Sequence, residues 1–303
     1  MVKKKTKFNL KQNWPLYLMV LPALVAVGIF NYAPMYGVIM AFQNYNPALG
    51  FTGSPFVGLR WFRFFIFDMP DSFNIIRNTL IIAIGKIIFG QLASIIFALL
   101  LNEVRRRLFT RVVQTIVYLP FFLSWVIIGG IFIDLLSMDG FINQIISALG
   151  GDPIFFLGSN IWFRPTMIAT DVWRNFGWGA ILYLAALTAI NPEFYESAAI
   201  DGAKRLQRMW YITLPGIMPT IILLATLSLG SILNAGFEQI LVMYNPAVYE
   251  TGDILDTFVY RAGLLDANFS LAAAVGLFRG VVSSVLIVIS YWMADRFAGY
   301  RIF

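Results

Sequence analysis

Residues 191–215 read NPEFYESAAIDGAKRLQRMWYITLP and lie between two long apolar runs. A segment that only connects two helices is usually short and polar, whereas this one has the signals of two short helices joined by a turn. Pro192 and Glu193 suit the first turn of the first helix. Gly202 can adopt a positive φ in the turn, and Asp201 is predicted to cap the second helix. The segment is therefore predicted to form a helix–turn–helix.

The two predicted helices present different surfaces. The first carries the small residues Ser197, Ala198 and Ala199, over which another surface can approach closely. The second places cations opposite apolar side chains, namely Lys204, Arg205 and Arg208 opposite Leu206, Met209, Trp210 and Ile212. Such a protrusion is either a docking element for a cytoplasmic partner or an interfacial hairpin that anchors the neighbouring helices. The residue pattern by itself leaves both interpretations open.

The flanking runs belong to a set of six apolar stretches at residues 14–42, 78–101, 112–135, 165–190, 215–237 and 271–293. Each is long enough to cross about 30 Å of hydrocarbon as a helix, and continuous runs are not the alternating segments of a barrel. Of the 303 residues 59% are hydrophobic and 13% charged, against about 45–50% and about 25% in soluble domains. An all-α integral membrane fold with six spans is therefore predicted.

Lysine and arginine predict the orientation of the spans. Fourteen of the 22 cations fall on the side of the N-terminus, at residues 3–11, 105–111, 204–208 and 296–301. Five lie on the other side, at positions 60, 63, 77, 164 and 261. Both termini and residues 191–215 are thus expected in the cytoplasm, with residues 1–13 as a basic N-terminal segment and residues 14–303 as one membrane domain. The basic runs suit an anionic lipid surface better than a nucleic acid.

Several kinds of chemistry are excluded by residues that the chain lacks. It has no cysteine and no histidine, which removes disulfides, Cys/His zinc sites and Ser-His-Asp triads. It also has no Gly-x-x-x-x-Gly-Lys phosphate-binding loop for ATP. A membrane glycan or lipid transferase would need a carboxylate pair or a phosphate site. The crowded acids Glu250, Asp253 and Asp256 lie in a turn-rich outer loop and are expected to be solvated or to face a partner. No catalytic residue and no metal site are predicted.

Six charges lie within the apolar stretches or directly at the end of one, at Lys86, Asp134, Asp171, Arg174, Glu238 and Arg279. Charges inside a membrane are costly and are functional-site candidates. Three cations and three anions also suit interhelical ion pairs, so both interpretations stay open. Because Asp171 and Arg174 are three residues apart on one helix face, they are expected to neutralise each other in part.

A longer pattern within residues 191–219 resembles a known signature. The matching residues are Glu196, Ala198, Asp201, Gly202, Ala203, Ile212, Leu214, Pro215 and Pro219. They follow E-A-A-x-x-D-G-A and I-x-L-P-x-x-x-P, which is the EAA loop of binding-protein-dependent ABC importer permeases. Ser197 stands where alanine is usual, and Met209 where an aromatic residue is common. Residues 170–179 and 236–239 resemble the carbohydrate branch, and within it the LplB-type permeases for polysaccharides or complex oligosaccharides.

The resemblance implies a type I ABC importer permease in a bacterial cell membrane, with residues 14–303 as the permease domain and an oligosaccharide or polysaccharide fragment as substrate. It implies four kinds of partner: a second, homologous permease, two copies of a cytoplasmic ATPase that binds ATP and Mg, an extracellular solute-binding lipoprotein and membrane lipid. No cofactor is expected in this chain. The residues implied to couple to the ATPase are Glu196, Ser197, Ala198, Ala199, Asp201, Gly202, Ala203, Leu214 and Pro215. A permease for another solute, such as glycerol phosphate, is the alternative within the family.

A sugar pathway should combine aromatic platforms with hydrogen-bonding side chains and needs no metal. The residues that suit such a pathway are Trp125, Trp173, Asn175, Trp178, Tyr183, Asn234, Phe237 and Glu238. Each aromatic residue among them also suits an interfacial belt or a packed core. Asn234 and Glu238 are the stronger candidates, because an apolar helix has no other reason to contain them.

Overall fold

The computed structural model describes residues 10–298, and helices make up most of that range. The first helix begins at Leu10, so most of the predicted basic segment 1–13 lies outside the described residues. Across residues 10–298 the only strand-like pairing is an isolated bridge between Gln43 and Phe56. The prediction of an all-α fold is confirmed.

The first span is a continuous helical rod with changing pitch. It consists of α1 (Leu10–Val27), a π-helical turn (Gly28–Tyr32) and a 3-10 stretch (Ala33–Phe42). The apolar part, Trp14–Phe42, has a mean hydropathy of 1.9 and no buried residue in its most apolar window. Only its C-terminal 3-10 stretch packs on the bundle, mainly against the last helix. The rest of this span is therefore left for lipid or another subunit to cover.

Two parallel helices form the centre of the bundle. After the short outer helices α2 (Gly50–Gly53) and α3 (Arg60–Arg63), α4 spans Ser72–Asn102, and α8 spans Phe163–Thr188. Asn78 meets Arg164 near one end, and Ser94 Oγ donates to Phe176 O at 2.9 Å further along. Successive spans cross a membrane in opposite directions, so the second and fourth spans are expected to be parallel, as these two helices are.

The third span is broken, although residues 112–135 are predicted as one helix. It consists of α5 (Arg107–Tyr118), a 3-10 turn (Leu119–Phe122) and α6 (Trp125–Leu135), with a bend of 100°. Pro120 has no N–H to continue the ladder, and Ser124 Oγ accepts from Ile127 N at 3.4 Å to start α6. The short α7 (Phe141–Ala148) follows α6 in the chain.

The segment 191–215 begins as predicted and continues differently. Asn191 accepts from Glu193 N–H at 3.0 Å and starts α9 (Pro192–Ile200), and Gly202 has a φ of +77° in the turn. Asp201 donates its N–H to Ser197 O at 3.1 Å and so ends α9. The expectation that it caps α10 (Arg205–Arg208) is wrong, because Lys204 stands at the N-cap position and its N–H donates to Gln207 Oε1 at 2.7 Å.

The fifth span starts earlier and stops earlier than predicted. α10 continues through a π turn (Met209–Thr213) into α11 (Leu214–Leu229), so Pro215 does not separate two helices. Leu214 N–H bonds Met209 O, and this wider turn accommodates a proline that cannot donate. The chain is non-helical over residues 230–236 before α12 (Phe237–Met243). We call residues 230–236 the span-five break.

The outer part is completed by α13 (Tyr249–Gly252) and α14 (Leu255–Tyr260), and the last span is α15 (Phe269–Ala298). By length and apolarity the described residues contain four spans, and a fifth if the bent pair counts as one. α8 adds the sixth, because it lies along α4 despite Arg164, Asp171 and Arg174, which make it less apolar.

Candidate functional site

A polar cavity of about 420 Å³ lies between α4, α8 and α11. Its polar lining consists of Lys86, Gln91, Ser94, Asp171, Asn175, Tyr183, Ser228 and Ser231. Residues four apart share a helix face, which places Asp171 and Asn175 together on α8. The volume is within the range of about 300–1,000 Å³ that is usual for ligand sites. A larger cleft of about 920 Å³ between α4 and α8 has only apolar side chains and is typical of a surface for lipid or helix packing.

Most polar groups of the cavity already have partners, and one does not. Gln91 Nε2 donates to Ser228 Oγ at 3.0 Å, and Ser228 Oγ donates to Leu224 O at 2.7 Å. Tyr183 is only 2% exposed, and its hydroxyl has no hydrogen-bond partner among the described residues. The cavity wall therefore contains one buried group that can still donate and accept.

Lys86 closes the end of the cavity next to the span-five break. Its ammonium donates to Ala235 O at 2.6 Å and to Gln239 Oε1, and it pairs with Asp171 Oδ1 at 3.5 Å. Gln239 is fully buried and donates to Met167 O at 2.9 Å and Thr170 Oγ1 at 2.7 Å. These bonds join α4, α8 and α12, and we call Lys86, Asp171 and Gln239 the polar triad.

Arg174 serves the other broken span in the same way. Its guanidinium donates to Phe121 O at 3.0 Å and Leu123 O at 2.9 Å, and it lies 5.0 Å from the Trp125 ring centre. Carbonyls freed by a break at membrane depth need such donors. The expected partial neutralisation of Asp171 by Arg174 is not what the contacts show, because Asp171 pairs with Lys86 instead.

The outer acids are held in a bonded network. Asp253 Oδ2 accepts from Arg261 at 2.6 Å, and Asp256 Oδ1 pairs with Arg279 at 2.5 Å. Asp253 is 3% exposed, so the expectation of a solvated carboxylate is wrong for this residue. Burial raises the pKa of Asp253, although its bonds to Arg261 and Thr257 oppose the rise. The pair of Asp253 with Arg261 spans α14, and the pair of Asp256 with Arg279 ties α14 to α15. Within residues 10–298 no group of acidic side chains is placed to hold a metal ion.

The structure separates the predicted pathway residues into three groups. Asn175 and Tyr183 line the cavity. Trp178 stacks on Phe121 at 4.4 Å, Trp173 meets Phe132 at 5.4 Å, and Trp125 is buried beneath Arg174. Trp125 belongs to the broken third span, and Trp173 and Trp178 pack against that span, which is why these three tryptophans do not reach the cavity.

The remaining predicted pathway residues lie at the span-five break. Phe237 contacts Tyr260 at 5.8 Å, and Asn234 and Glu238 are exposed outside the cavity. Gln91 and Ser94 line the cavity although they are outside the predicted set. The signal that could have indicated them is their spacing from Lys86 on an otherwise apolar span.

The predicted coupling residues lie on an exposed protrusion. Glu196, Ser197, Ala199, Asp201 and Gly202 are exposed, whereas Ala198, Ala203 and Leu214 are partly buried. A cleft of about 710 Å³ separates α9 from the ends of α8 and α11, and Ser197 and Pro215 line it. Tyr195 donates to Thr213 Oγ1 at 3.1 Å and so ties α9 to the base of the fifth span. The bond between Tyr195 and Thr213 is therefore a direct contact through which movement of α9 can reach the fifth span.

Comparisons with known proteins agree on one family. The family described as "Binding-protein-dependent transport system inner membrane component" matches residues 90–299. Protein LplB of Bacillus subtilis is 45% identical over 289 residues, which cover 95% of this chain and 91% of LplB. The polygalacturonan/rhamnogalacturonan transport system permease protein YteP of the same organism is 43% identical over 297 residues, covering 97% and 92%.

Solved structures show the same likeness in three dimensions. A chain of a bacterial ABC transporter involved in the import of the acidic polysaccharide alginate has a TM-score of 0.86 at 40% identity, covering 95% of this chain and 97% of that one. A chain of the alginate transporter in complex with an alginate pentasaccharide-bound periplasmic protein has a TM-score of 0.87 at 39% identity, covering 97% and 98%. The chain therefore belongs to the family of binding-protein-dependent transport system inner membrane components, as a multi-pass permease subunit of an ABC importer and not an enzyme.

Proposed function

We propose that this chain forms one half of the membrane pathway for an oligosaccharide, and that the polar cavity between α4, α8 and α11 is its solute-contacting part. The observation that carries the proposal is the buried, unpartnered hydroxyl of Tyr183 in the wall of that cavity. Leaving a buried polar group unpaired costs about 1–3 kcal/mol. A passing solute that bonds the hydroxyl offsets this cost.

The chemistry of the lining suits a sugar. A sugar hydroxyl both donates and accepts, so it needs partners of both kinds. The cavity has amides at Gln91 and Asn175, hydroxyls at Ser228 and Ser231, and a carboxylate at Asp171. Relatives named for polygalacturonan/rhamnogalacturonan transport and for alginate import support a polysaccharide-derived substrate.

The proposed partners follow from the family and from the exposed protrusion around α9. An extracellular binding protein is proposed to deliver the oligosaccharide to the outer loops, as the alginate transporter was solved with a pentasaccharide-bound periplasmic protein. A second permease is proposed to complete the pathway. Two ATPase subunits are proposed to bind ATP and Mg and to dock on α9, with the residues from Glu196 to Ala203 and then Leu214 and Pro215 transmitting their motion. The chain itself is proposed to need no cofactor.

The test is uptake by the complete importer, with its binding protein and ATPase, across a panel of neutral and acidic oligosaccharides. Asn175→Leu combined with Ser228→Leu is expected to lower uptake at least about tenfold, because two hydrogen-bonding groups leave the cavity. Thr115→Leu is the matched control, since Thr115 is exposed on α5 and bonds only its own helix, at Arg111 O.

Two results would contradict the proposal. Unchanged uptake in the double variant would remove the cavity from the pathway. A preference of the parent importer for glycerol phosphate, amino acids or inorganic phosphate would overturn the sugar as substrate, while the assignment to the permease family would stand.

A further inference from the structure

Lys86 is an ammonium inside the second span whose partners lie on three other parts of the chain. Its side chain is 9% exposed, and its acceptors are Ala235 O, Gln239 Oε1 and Asp171 Oδ1. An ammonium has three protons, so each proton has one acceptor. The ammonium thereby connects α4 to the span-five break, to α12 and to α8.

The span-five break depends on such a donor. Residues 230–236 keep only i→i−3 turn bonds, which leave Leu233 O and Ala235 O without a backbone donor. A carbonyl without a partner in hydrocarbon costs several kcal/mol. Ala235 O takes its hydrogen bond from Lys86, and Leu233 O takes one from Arg279 Nε at 3.3 Å. Both donors come from neighbouring spans, so the position of the break is set from outside the fifth span.

The shape of the break also matches the ammonium. Gly236 has a φ of +88°, and a Cβ at this position would lie 2.6 Å from Lys86 Nζ. The ammonium therefore occupies the space that a side chain at position 236 would need. This is a second contact between Lys86 and the break, independent of the bond to Ala235.

The break is also part of the cavity wall. Ser231 of the break lines the cavity together with Lys86 and Asp171. The other lining residues of α8 and α11, down to Tyr183 and Leu224, lie nearer the coupling segment. Movement of the break away from Lys86 would therefore open the cavity at the end far from α9.

We propose that Lys86 is a positioning residue for transport: its ammonium holds the span-five break against α8 and keeps that end of the cavity closed. The proposal rests on the proposed function, because it takes the cavity as part of the pathway. Opening breaks the bonds from Lys86 to Ala235 O and Gln239, while the pairing with Asp171 keeps the buried charge compensated.

The absence of cysteine from the chain makes the position of the break measurable. A single Ala235→Cys substitution is introduced at a fully buried position of the break, and a membrane-impermeant maleimide is added to the nucleotide-free importer from the side opposite the ATPase. The background is compared with Lys86→Met/Asp171→Asn, which removes both charges together, and with Lys86→Arg, which keeps the charge and the donors. Asp253→Asn/Arg261→Met is the matched control, a second ion pair that does not touch the break.

The labelling rate of the cysteine introduced at position 235 is expected to rise at least about tenfold in Lys86→Met/Asp171→Asn. It is expected to stay within about threefold of the parent in Lys86→Arg and in the control pair. Complex yield is expected to match the parent, and any fall in melting temperature caused by the freed carbonyl of Ala235 is compared with that of the control pair. A purely structural role of the ion pair would lower the melting temperature without raising the labelling rate. An unchanged rate in the neutral double variant, or an equal rise in the control pair, overturns the proposal.

If the neutral double variant does not assemble, Gly236→Ala replaces it. This substitution displaces the ammonium and leaves both charges, so the same rise in labelling is expected and an unchanged rate overturns the proposal. The labelling assay needs no sugar. If the labelling rate rises as expected but the importer takes up no oligosaccharide, the proposed function alone is contradicted. If the importer takes up oligosaccharide but the labelling rate does not change in the Lys86 variants, the role of Lys86 alone is contradicted.

Discussion

Tyr183 buries a hydroxyl in the cavity wall without a partner among the described residues. Tyr183→Phe removes this group and keeps the ring, so the free energy of unfolding is expected to stay the same or to increase by about 1 kcal/mol. Oligosaccharide uptake is expected to fall by about threefold to tenfold, because one hydrogen bond to the solute is lost. Thermal unfolding of the purified importer and initial uptake rates measure the two effects.

Tyr195→Phe is the matched control for that substitution. It removes a hydroxyl on α9 that bonds Thr213, far from the cavity. Oligosaccharide uptake by the Tyr195→Phe importer is expected to change together with its rate of ATP hydrolysis, because α9 couples to the ATPase. Tyr183→Phe is expected to leave the rate of ATP hydrolysis in the absence of oligosaccharide unchanged. Lower stability of Tyr183→Phe together with full uptake would show that the hydroxyl has a structural partner instead.

Among the helices, the third and fifth spans share one arrangement. Each is interrupted at membrane depth, and each break receives hydrogen bonds from a cation on the central pair of helices, Arg174 on α8 or Lys86 on α4. A broken helix is tolerated in a membrane only where protein or a water-lined cavity satisfies its backbone. Arg174 and Lys86 are therefore explained as donors to the carbonyls that the two breaks leave free. Of the two, Lys86 alone also pairs with a carboxylate, that of Asp171.

The helix α9 and its turn permit a direct test of the coupling segment. Gly202 has a φ of +77°, which proline cannot adopt because its ring holds φ near about −65°. Glu196→Lys with Gly202→Pro is expected to abolish co-purification of the ATPase and to leave membrane insertion intact. Asp152→Lys with Gly150→Pro is the matched control, since Gly150 has a φ of +84° and Asp152 is exposed in an outer turn. Undiminished recovery of the ATPase with the first variant would refute the docking role.

In the molecule as a whole, the first span is left uncovered by its own chain. The most apolar window of Trp14–Phe42 has no buried residue, and the cleft of about 920 Å³ between α4 and α8 is lined only by apolar side chains. Exposed apolar surfaces of this size mark contacts with lipid or protein. The isolated chain is therefore only part of the folded assembly, which agrees with the proposed second permease.

The orientation in the membrane is a property of the whole chain and can be measured with single cysteines. The substitutions Asp152→Cys and Gln207→Cys are both at exposed positions. Since cations are concentrated on the side of residue 207, an impermeant thiol reagent applied to intact cells is expected to label the Asp152→Cys variant and not the Gln207→Cys variant. Permeabilised cells should show labelling of both variants. Labelling of the Gln207→Cys variant alone in intact cells would invert the topology and place both termini outside.

Contiguous sequence patterns were sufficient to predict that the chain lies in a membrane, where its apolar spans lie and that a turn follows α9. These features are local. A run of about 20 apolar residues can be recognised as a span without knowing what packs against it. A glycine between two short helices is likewise enough to predict a positive φ in the turn. The match at Glu196, Asp201 and Gly202 was likewise readable without a structure, because the motif is contiguous. Local patterns were insufficient where two nearby side chains could take the same role. Gln207 accepts the N–H bond at the start of α10, a capping role that was expected of Asp201.

Which charges meet, and where the cavity lies, depends on the packing of the helices in three dimensions. Lys86 bonds residues 149 and 153 positions away along the chain, and Arg174 bonds a carbonyl 53 positions away. No helical periodicity encodes such distances, since partners across a bundle are set by how the helices pack. The pairing of Asp171 with Lys86 rather than with Arg174, and the placement of Trp173 and Trp178 outside the cavity, follow from that packing: the parallel contact of α4 with α8 and the two breaks orient these side chains together.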